Sequence, residues 1–426
     1  MEKIAKKDIT WLHGCPYDLR DFIKKHPGGD QIKVAFGEKD VTALYYSYHP
    51  SHKINPDSEN SYKLETILEN YRLEEPLEDK NKYENMEYEY NSDLALEIKD
   101  AVDEYFKKNS ISKFANRKWW FKTVIYMSLN ILFDIWYLWS PNYVNAMLFG
   151  ISVAFVALNV THDANHGSVS RYYPWINQLL GRTSDWLGHS QYDWSKKHTI
   201  SHHQYTNDEQ LDYNSDRLKY ILNFSNRNKN WFHRNFQGIY MWVVLPIPWI
   251  LLSFKFKDII VKDGLVACIL RIFFIYRLYV NPIMHHGLFH GFLIGTTTAL
   301  SGTIILSYLF NLSHHFVGVY RENLKEGDDW YKHQIISSSD YGGHISSLLT
   351  GGLNIQIIHH LFPRINSIHY VTLQPIVEKI CIKHGVKYVK FDGICQNILS
   401  TMKYFGLPSF ISNRLNVVNN HNYKQN

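Results

Sequence analysis

The chain has little cysteine. Its four cysteines are Cys15, Cys268, Cys381 and Cys395, and no two of them form a CxxC pair. Such spacing excludes a disulfide framework and indicates reducing surroundings. It also removes thiolate as the main ligand for a metal, so a metal site in this chain would depend mainly on nitrogen donors.

Three other features are missing. The net charge of +5 at pH 7 is modest and comes without a basic block, so we predict no nucleic-acid partner. The amino terminus, MEKIAKKDIT, lacks the apolar stretch of a cleavable signal, and we expect that end to stay in the cytosol. No GxGxxG fingerprint for a dinucleotide is evident, which is consistent with a separate reductase for any reaction that uses NADH.

Aromatic residues, in contrast, are abundant. The chain has 30 Tyr and 12 Trp, and its aromatic share of 15% is high for a soluble domain and common at membrane interfaces. Mean hydropathy is only -0.29 because long polar segments dilute the apolar ones. Lysines and arginines flank the apolar segments, as they do on the cytoplasmic side of membrane proteins. The composition therefore predicts an integral membrane protein.

Histidines are concentrated in three boxes. Box one holds His162 and His166, box two holds His198, His202 and His203, and box three holds Gln356, His359 and His360. Histidines at i and i+4 project from one face if their segment is helical. Imidazole suits iron, copper, zinc and nickel. Seven histidines in three compact boxes therefore predict a polynuclear metal site.

A first membrane hairpin is predicted before box one. Its arms cover 124–138 and 143–160, and its turn is Ser140-Pro141-Asn142. Each arm is close to the roughly 20 residues that a spanning helix needs. Asp134 is a polar residue inside the first arm, where it either lines a cavity or lies near the far interface.

A second hairpin is predicted before box three. The candidate segments are 239–254, 265–280 and 289–311, and an even number of them must cross if all boxes face one side. We expect 239–254 to lie along the surface because prolines interrupt it, which leaves a far turn at 284–288. Arg271 and Arg277 are unfavourable inside a spanning helix, so the choice between 239–254 and 265–280 stays open.

Two more histidine clusters differ in their place along this topology. His314 and His315 follow the second hairpin and return to the face of the boxes, where either could supply an additional ligand. His285, His286 and His290 fall at the far turn, a membrane thickness away. We expect the second cluster to be interfacial.

The amino-terminal region is predicted to be a small polar domain. His26 begins an HPGG turn and His49 follows an aromatic-rich stretch, so that the two imidazoles can bind one iron from opposite faces of a flat cofactor. His52 is the rival of His49. The charged stretch 76–93 predicts a linker, and an amphipathic helix begins after it with Leu94, Ile98, Val102 and Tyr105 on one face.

The motifs HPGGD (26–30), HDANH (162–166), HTISHHQYTN (198–207) and GGLNIQIIHHLFP (351–363) together resemble the membrane fatty-acid desaturases, specifically the front-end class with an amino-terminal cytochrome b5 domain. The resemblance spans most of residues 8–365. It implies an α-helical integral membrane protein with two transmembrane hairpins, four transmembrane helices and a cytosolic helical diiron cap, preceded by an α+β cytochrome b5-like haem domain. The implied boundaries are 1–75 for the haem domain, 76–112 for the linker and amphipathic helix, 113–375 for the desaturase domain and 376–426 for a cytosolic carboxyl-terminal region.

The resemblance also implies two cofactors, a histidine-ligated pair of iron ions and haem b. The implied iron ligands are His162, His166, His198, His202, His203, His314, Gln356, His359 and His360. The seven box histidines among them are implied to be catalytic. The implied haem ligands are His26 and His49.

The implied reaction uses O2 to insert a double bond between an existing one and the carboxyl end of a polyunsaturated acyl chain. The HxxxHH form of box two favours Δ5 or Δ4 over Δ6. The implied partners are a fatty acyl-CoA or acyl-phospholipid, O2, membrane lipid and NADH-cytochrome b5 reductase as the electron donor. The implied location is the endoplasmic reticulum, with the haem domain and the boxes facing the cytosol.

Three alternatives remain open. A sphingolipid desaturase or a fatty acyl hydroxylase would use the same scaffold. A membrane b5-type electron carrier would have the haem domain without oxidase activity. A zinc hydrolase also uses histidines at i and i+4, but it leaves the haem motif unexplained and needs a catalytic glutamate that is absent beside the boxes.

Overall fold

The computed structural model describes residues 9–37, 40–49, 67–73, 88–212, 221–224, 229–252, 254, 256, 259–321 and 323–415. Within these ranges helices dominate, and the strands form two small two-stranded sheets. The rival haem ligand His52 lies outside the described residues.

The amino-terminal region consists of short elements. They are strands β1 (Thr10–Leu12) and β2 (Cys15–Tyr17), 3-10 helices at Arg20–Phe22 and Gly29–Ala35, and helix α1 (Thr42–Tyr48). The two strands pair antiparallel, and the described residues of this region form this small sheet and short helices. Leu12, Leu19 and Leu44 form its apolar core, and Ile200 of box two packs into the same core. The region is therefore joined to the segment that carries box two.

Helix α2 (Asp93–Lys108) is the predicted amphipathic helix. Its first turn is capped by Ser92, whose side chain accepts a hydrogen bond from the Ala95 amide. Leu94, Ile98 and Val102 are buried as their spacing predicts, but Phe106 rather than Tyr105 continues the buried stripe.

The first hairpin consists of α3 (Arg117–Trp139) and α4 (Tyr143–Val156). The predicted turn separates them, and Asn142 caps α4 by accepting hydrogen bonds from the amides of Val144 and Asn145. A π-helical turn at Ala157–Thr161 follows α4. The chain then continues through α5 (His162–Asn165), α6 (Pro174–Gly181), α7 (Thr183–Trp186), α8 (Gln191–Trp194), a π helix (Ser195–His202), α9 (Trp231–Val244), α10 (Pro246–Leu252) and α11 (Ile259–Lys262).

The second hairpin runs through α12 (Leu265–Ile275), a π turn (Tyr276–Val280) and α13 (Asn281–Leu312). The chain reverses at Gly287, whose φ of 75° is rarely accessible to other residues. Beyond it the arms touch, because a Cβ on Gly295 would lie 2.1 Å from the carbonyl oxygen of Leu278. The reversal falls inside the predicted turn 284–288.

Small residues bring the two hairpins together. A Cβ on Gly150 of α4 would lie 2.2 Å from the carbonyl oxygen of Thr298 of α13, so the two backbones approach as closely as glycine allows. At the far end, Nε2 of His286 lies 2.5 Å from the carbonyl oxygen of Pro141. Both hairpin turns therefore lie at the same end of the bundle, opposite the boxes.

By length and composition, two described segments could span a membrane, Tyr143–Asn165 and Leu265–Leu312. The second of these contains both arms of the second hairpin, and α3 is not among the segments that pass. The described part of the chain therefore has helices long and apolar enough to cross a membrane, and the count of four spanning helices stays a prediction.

Two charged residues inside the hairpins, Arg277 and Asp134, are paired. Arg277 donates through Nη1 to the carboxylate of Asp134 and through Nη2 to the carbonyl oxygen of Trp186 at 2.6 Å. Its guanidinium also lies 4.1 Å above the Trp186 ring. Because a lone buried charge is very costly, this pairing explains how Arg277 and Asp134 are accommodated at that depth.

The rest of the chain folds around box three. Its elements are α14 (Trp330–Ile336), β3 (Asp340–Tyr341), α15 (His344–Thr350), α16 (Gln356–Leu361), a 3-10 helix (Ser367–His369), α17 (Tyr370–Lys383), β4 (Lys390–Phe391), α18 (Ile394–Phe405) and α19 (Ser409–Ser412). β3 and β4 pair in parallel. The largest buried apolar cluster combines residues of α2, α14, α16 and α17 with Ala43 and Tyr46 of α1.

Candidate metal centre

Box one lies where α4 ends in its π turn. His162 and His166 are 2% and 1% exposed, and their ring centroids are 4.7 Å apart. Asp163 between them accepts hydrogen bonds from Trp119 Nε1 at 2.7 Å and from Ser367 Oγ at 2.6 Å. Box one is thereby tied to α3 and to the segment after box three.

Box two is a π helix rather than the α helix that its spacing predicts. The amide of His203 donates to the carbonyl oxygen of His198 at 3.0 Å, an i to i+5 bond. His198 and His203 therefore meet, with their Nε2 atoms 3.2 Å apart, while His202 is directed elsewhere. The His198 and His202 rings are neighbours, with centroids 5.5 Å apart, but they belong to different groups of histidines, which an i, i+4 spacing does not predict.

Box three lies on the short helix α16, which is buried throughout. Its two histidines are adjacent and point in different directions. The His359 ring lies 4.5 Å from that of His162, and the His360 ring lies 4.9 Å from that of His202. Box three therefore serves both halves of the centre.

Six box histidines and His314 form two buried groups. Within each group, the ring nitrogens that can bind a metal lie within 4.8 Å of one another. The first histidine group is His162, His166, His198 and His359, and the second histidine group is His202, His314 and His360. His203 lies between them, its ring 4.6 Å from that of His359 and 4.4 Å from that of His360. The geometry thus offers two adjacent metal positions.

Several of these rings present a buried nitrogen that has no hydrogen-bond partner. These atoms are His162 Nδ1, His166 Nε2, His203 Nδ1 and His359 Nε2. Buried polar atoms are normally paired, so unpaired ring nitrogens on clustered histidines fit a metal ion as the missing partner. A donor set of imidazoles suits iron among other transition metals.

Burial keeps the imidazoles neutral. It is the main cause that holds the pKa of His166, His198 and His359 well below the usual value, and neighbouring histidines lower it further. In the second histidine group, burial lowers the pKa of His314 to about 3. Neutral imidazole is the form that binds metal, so these rings are ready to bind near neutral pH.

His314 belongs to the second group and His315 does not. The His314 ring lies 4.6 Å from that of His202. His315 instead packs at 5.1 Å from the Phe224 ring, and its Nδ1 donates to the carbonyl oxygen of Asn311. Of the two alternatives that the sequence leaves open, the geometry favours His314.

Gln356 lies beside the second group. Its side-chain nitrogen is 3.1 Å from His314 Nε2 and 3.2 Å from His360 Nε2. An amide turned by half a rotation would present its oxygen to the same two nitrogens. Gln356 is therefore placed to add an oxygen donor where the second group has only three histidines.

Four outer partners, which sequence reasoning missed, fix the rings through Nδ1. They pair Tyr48 with His166 at 2.8 Å, Asp212 with His202 at 3.0 Å, Gln334 with His360 at 3.0 Å and Tyr370 with His359 at 3.3 Å. Such partners set the tautomer and the orientation of a ligating histidine. No local spacing marks them, because each is far from its histidine in sequence or belongs to no recognisable motif.

The proposed haem ligands face each other in the amino-terminal region. The ring centroids of His26 and His49 are 6.2 Å apart. Two metal–nitrogen bonds of about 2 Å on opposite sides of one ion, plus about 1 Å from each nitrogen to its ring centre, give about 6 Å. His49 Nδ1 donates to the carbonyl oxygen of Tyr45 at 2.8 Å, which fixes the orientation of that ring. Burial lowers the pKa of His26 to about 4, so that ring is neutral as well.

Comparison with known proteins gives the same assignment as the boxes. Residues 112–392 match the sequence profile of the fatty acid desaturase family. The chain is 29% identical to the chloroplastic acyl-lipid (7-3)-desaturase of Chlamydomonas reinhardtii, over 92% of this chain and 78% of that relative. It is 27% identical to the probable Delta(5) fatty acid desaturase C of Dictyostelium discoideum, over 97% and 92%. It is 28% identical to the acyl-lipid (8-3)-desaturase of Physcomitrium patens, over 94% and 88%.

The matched segment covers more than half of the chain and includes all three boxes and both hairpins. The prediction of an acyl-chain desaturase is thereby confirmed. The chain belongs to the fatty acid desaturase family and is an oxidoreductase that acts on acyl chains.

Proposed function

We propose that this protein is a front-end acyl-lipid desaturase. The observation that carries the proposal is the pair of adjacent, buried histidine groups. An unactivated methylene C–H bond is beyond side-chain acids and bases, so the reaction needs a metal centre that activates O2. Gln356 stands where the front-end class has glutamine. The HxxxHH form of box two, together with relatives named Delta(5) desaturases, supports Δ5 or Δ4 over Δ6.

Two iron ions fit the two groups. The first group would hold one iron and the second group the other, with His203 between them and Gln356 beside the second. When bound, the irons would supply the activation of O2 and the removal of two hydrogens from the acyl chain. The protein supplies neutral rings, the outer partners that orient them, and burial that excludes water.

Haem b fits the space beside His26 and His49. A cavity of about 910 Å³ opens there between the amino-terminal region and the desaturase segment. Its basic lining residues are Lys33, Lys113, Arg171, Arg182, Lys262 and Arg364, and its acidic ones are Asp30 and Asp263. Four of these cations are paired with carboxylates: Lys33 with Asp30, Lys113 with Asp103, Arg182 with Asp185 and Lys262 with Asp193. Arg171 and Arg364 are the cations that would suit a flat apolar group with two carboxylates. When bound, haem would accept electrons one at a time from NADH-cytochrome b5 reductase.

We assign four spanning helices to α3, α4 and the two arms of the second hairpin. Their outward faces are apolar, with Phe121 and Trp139 of α3 71% and 83% exposed and Leu288 of α13 74% exposed. Such surfaces suit lipid rather than water. The boxes then meet at the cytosolic face, where an acyl-phospholipid or acyl-CoA of the endoplasmic reticulum membrane can reach them.

The test is expression in a host that makes no polyunsaturated fatty acids, fed with defined polyunsaturated acids of several chain lengths. Mass spectrometry of the products should locate a new double bond on the carboxyl side of an existing one. The His202→Ala variant is the matched inactive control. A hydroxylated chain, or a product confined to sphingoid bases, would contradict the proposal.

A further inference from the structure

Helix α1 of the amino-terminal region ends at the metal centre. The hydroxyl oxygen of Tyr48 lies 2.8 Å from Nδ1 of His166, a member of the first histidine group. The two residues are 118 positions apart in the chain. The amino-terminal region therefore contributes a side chain to the surroundings of the centre.

The contact leaves the other nitrogen of His166 for a metal. Nε2 of His166 is buried and has no hydrogen-bond partner. The centroid of the His166 ring lies 5.1 Å from that of His198 and 4.7 Å from that of His203. With Nε2 on a metal, the proton of the neutral ring is on Nδ1 and is donated to the Tyr48 oxygen. Tyr48 thus fixes the tautomer and the orientation of His166.

The neighbour of Tyr48 in the chain is His49. The covalent path from the His49 ring to the Tyr48 hydroxyl crosses a single peptide unit, and the hydrogen bond to His166 continues it into the first group. His49 faces His26 at 6.2 Å, as the ligands of one iron would. A continuous path of bonds therefore joins the candidate haem to the candidate diiron centre.

Other contacts hold the amino-terminal region in this position. They are the Leu44 amide to Gln204 Oε1 at 3.3 Å, Gln31 Nε2 to the carbonyl oxygen of Ala164 at 3.2 Å, and Lys196 Nζ to the carbonyl oxygen of Val34 at 2.7 Å. Each links the amino-terminal region to box one or box two. The Tyr48 contact is thus part of a docked interface.

We propose that Tyr48 is a positioning residue that orients His166 and connects the haem ligand His49 to the first histidine group for electron transfer. This inference rests on the proposed function. In each transfer, one ferrous haem becomes ferric and one ferric ion held by the first group becomes ferrous. The reductant that restores the haem is a one-electron reductase or, in the experiment, dithionite.

The test uses full-length protein with the Tyr48→Phe substitution, which keeps the ring and removes the hydroxyl. The matched control is Tyr46→Phe, on the same helix, because the Tyr46 hydroxyl lies 3.2 Å from Nε2 of His13, outside both groups. Haem absorbance, haem potential and iron per chain are measured first. The haem is then reduced under nitrogen, and the decay of its ferrous absorbance is followed by stopped flow.

The expected result is a decay about tenfold slower in Tyr48→Phe than in the wild type or Tyr46→Phe, with haem content and haem potential unchanged. If Tyr48→Phe binds iron less tightly, reconstitution with excess ferrous iron followed by oxidation lets the rate be compared per loaded centre. A wild-type rate in loaded Tyr48→Phe would overturn the inference. Absence of haem from the wild type, or of iron from both groups, would instead overturn the proposed function.

Discussion

The first and second histidine groups are stabilised by different chemistry. Outer partners in the first group are phenol hydroxyls, from Tyr48 on His166 and Tyr370 on His359. Those in the second group are a carboxylate on His202, from Asp212, an amide oxygen and a hydroxyl on His360, from Gln334 and Thr206, and a backbone carbonyl on His314, from Ser337. A carboxylate partner makes a ligating imidazole more basic. The group with fewer histidines therefore has the stronger outer partners, and the two metal positions are not equivalent.

The largest effect is expected from removing a ligand of either group. His202→Ala should lower iron from about two to about one per chain and abolish desaturation, because the second group would keep only two imidazoles. Haem absorbance should be unchanged, since His26 and His49 lie elsewhere. Iron analysis and product analysis check this. His285→Ala, at the far turn, is the control, and equal losses in the two variants would contradict the two-group site.

Removing the carboxylate partner should have the next largest effect. Asp212→Asn should lower activity or iron affinity about 10- to 100-fold, because His202 loses the group that fixes its tautomer. Glu97→Gln is the matched control, since Glu97 accepts from His384 at 2.7 Å on the surface. Titration with a chelator measures the affinity. An unchanged affinity in Asp212→Asn would show that the second group does not depend on its outer carboxylate.

Gln356 allows a smaller and more directed change. Gln356→Leu should lower the iron affinity of the second group about tenfold and leave the first group loaded, because only the second group touches this amide. Gln356→His adds an imidazole and should retain both irons. Partial chelation followed by iron spectroscopy separates the two positions. Equal loss from both positions in Gln356→Leu would contradict the difference between the groups.

Acidity gives the last comparison, which is made on iron-free protein. The folded pKa of His314 is about 3, below its unfolded value near 6.5, so below that value the unfolded chain binds a proton that the folded chain does not. The contribution of His314 to the free energy of unfolding is therefore complete above pH 6.5, and it is lost as the pH drops towards 3. Denaturant unfolding in detergent at several pH values measures this. Stability that rises on acidification would contradict the assigned direction.

The sequence predicted which histidines meet but not how they divide. Turn residues such as Pro141 and the apolar runs indicated both hairpins, because these depend on composition and length. The split of His198 from His202 could not be predicted, since an i, i+4 rule assumes an α helix. The pairing of Arg277 with Asp134, or of Tyr48 with His166, could not be predicted either. Contacts between polar residues that are distant in the chain follow no spacing rule.

Because box two is a π helix, the number of residues between His198 and His203 is critical. With the i to i+5 bond, His198 and His203 meet while His202 is left for the other group. A deletion of one residue between them would restore an ordinary helix and exchange which imidazole faces which metal. Relatives that work by the same division should accept substitutions within 199–201 more readily than any change in the number of residues there.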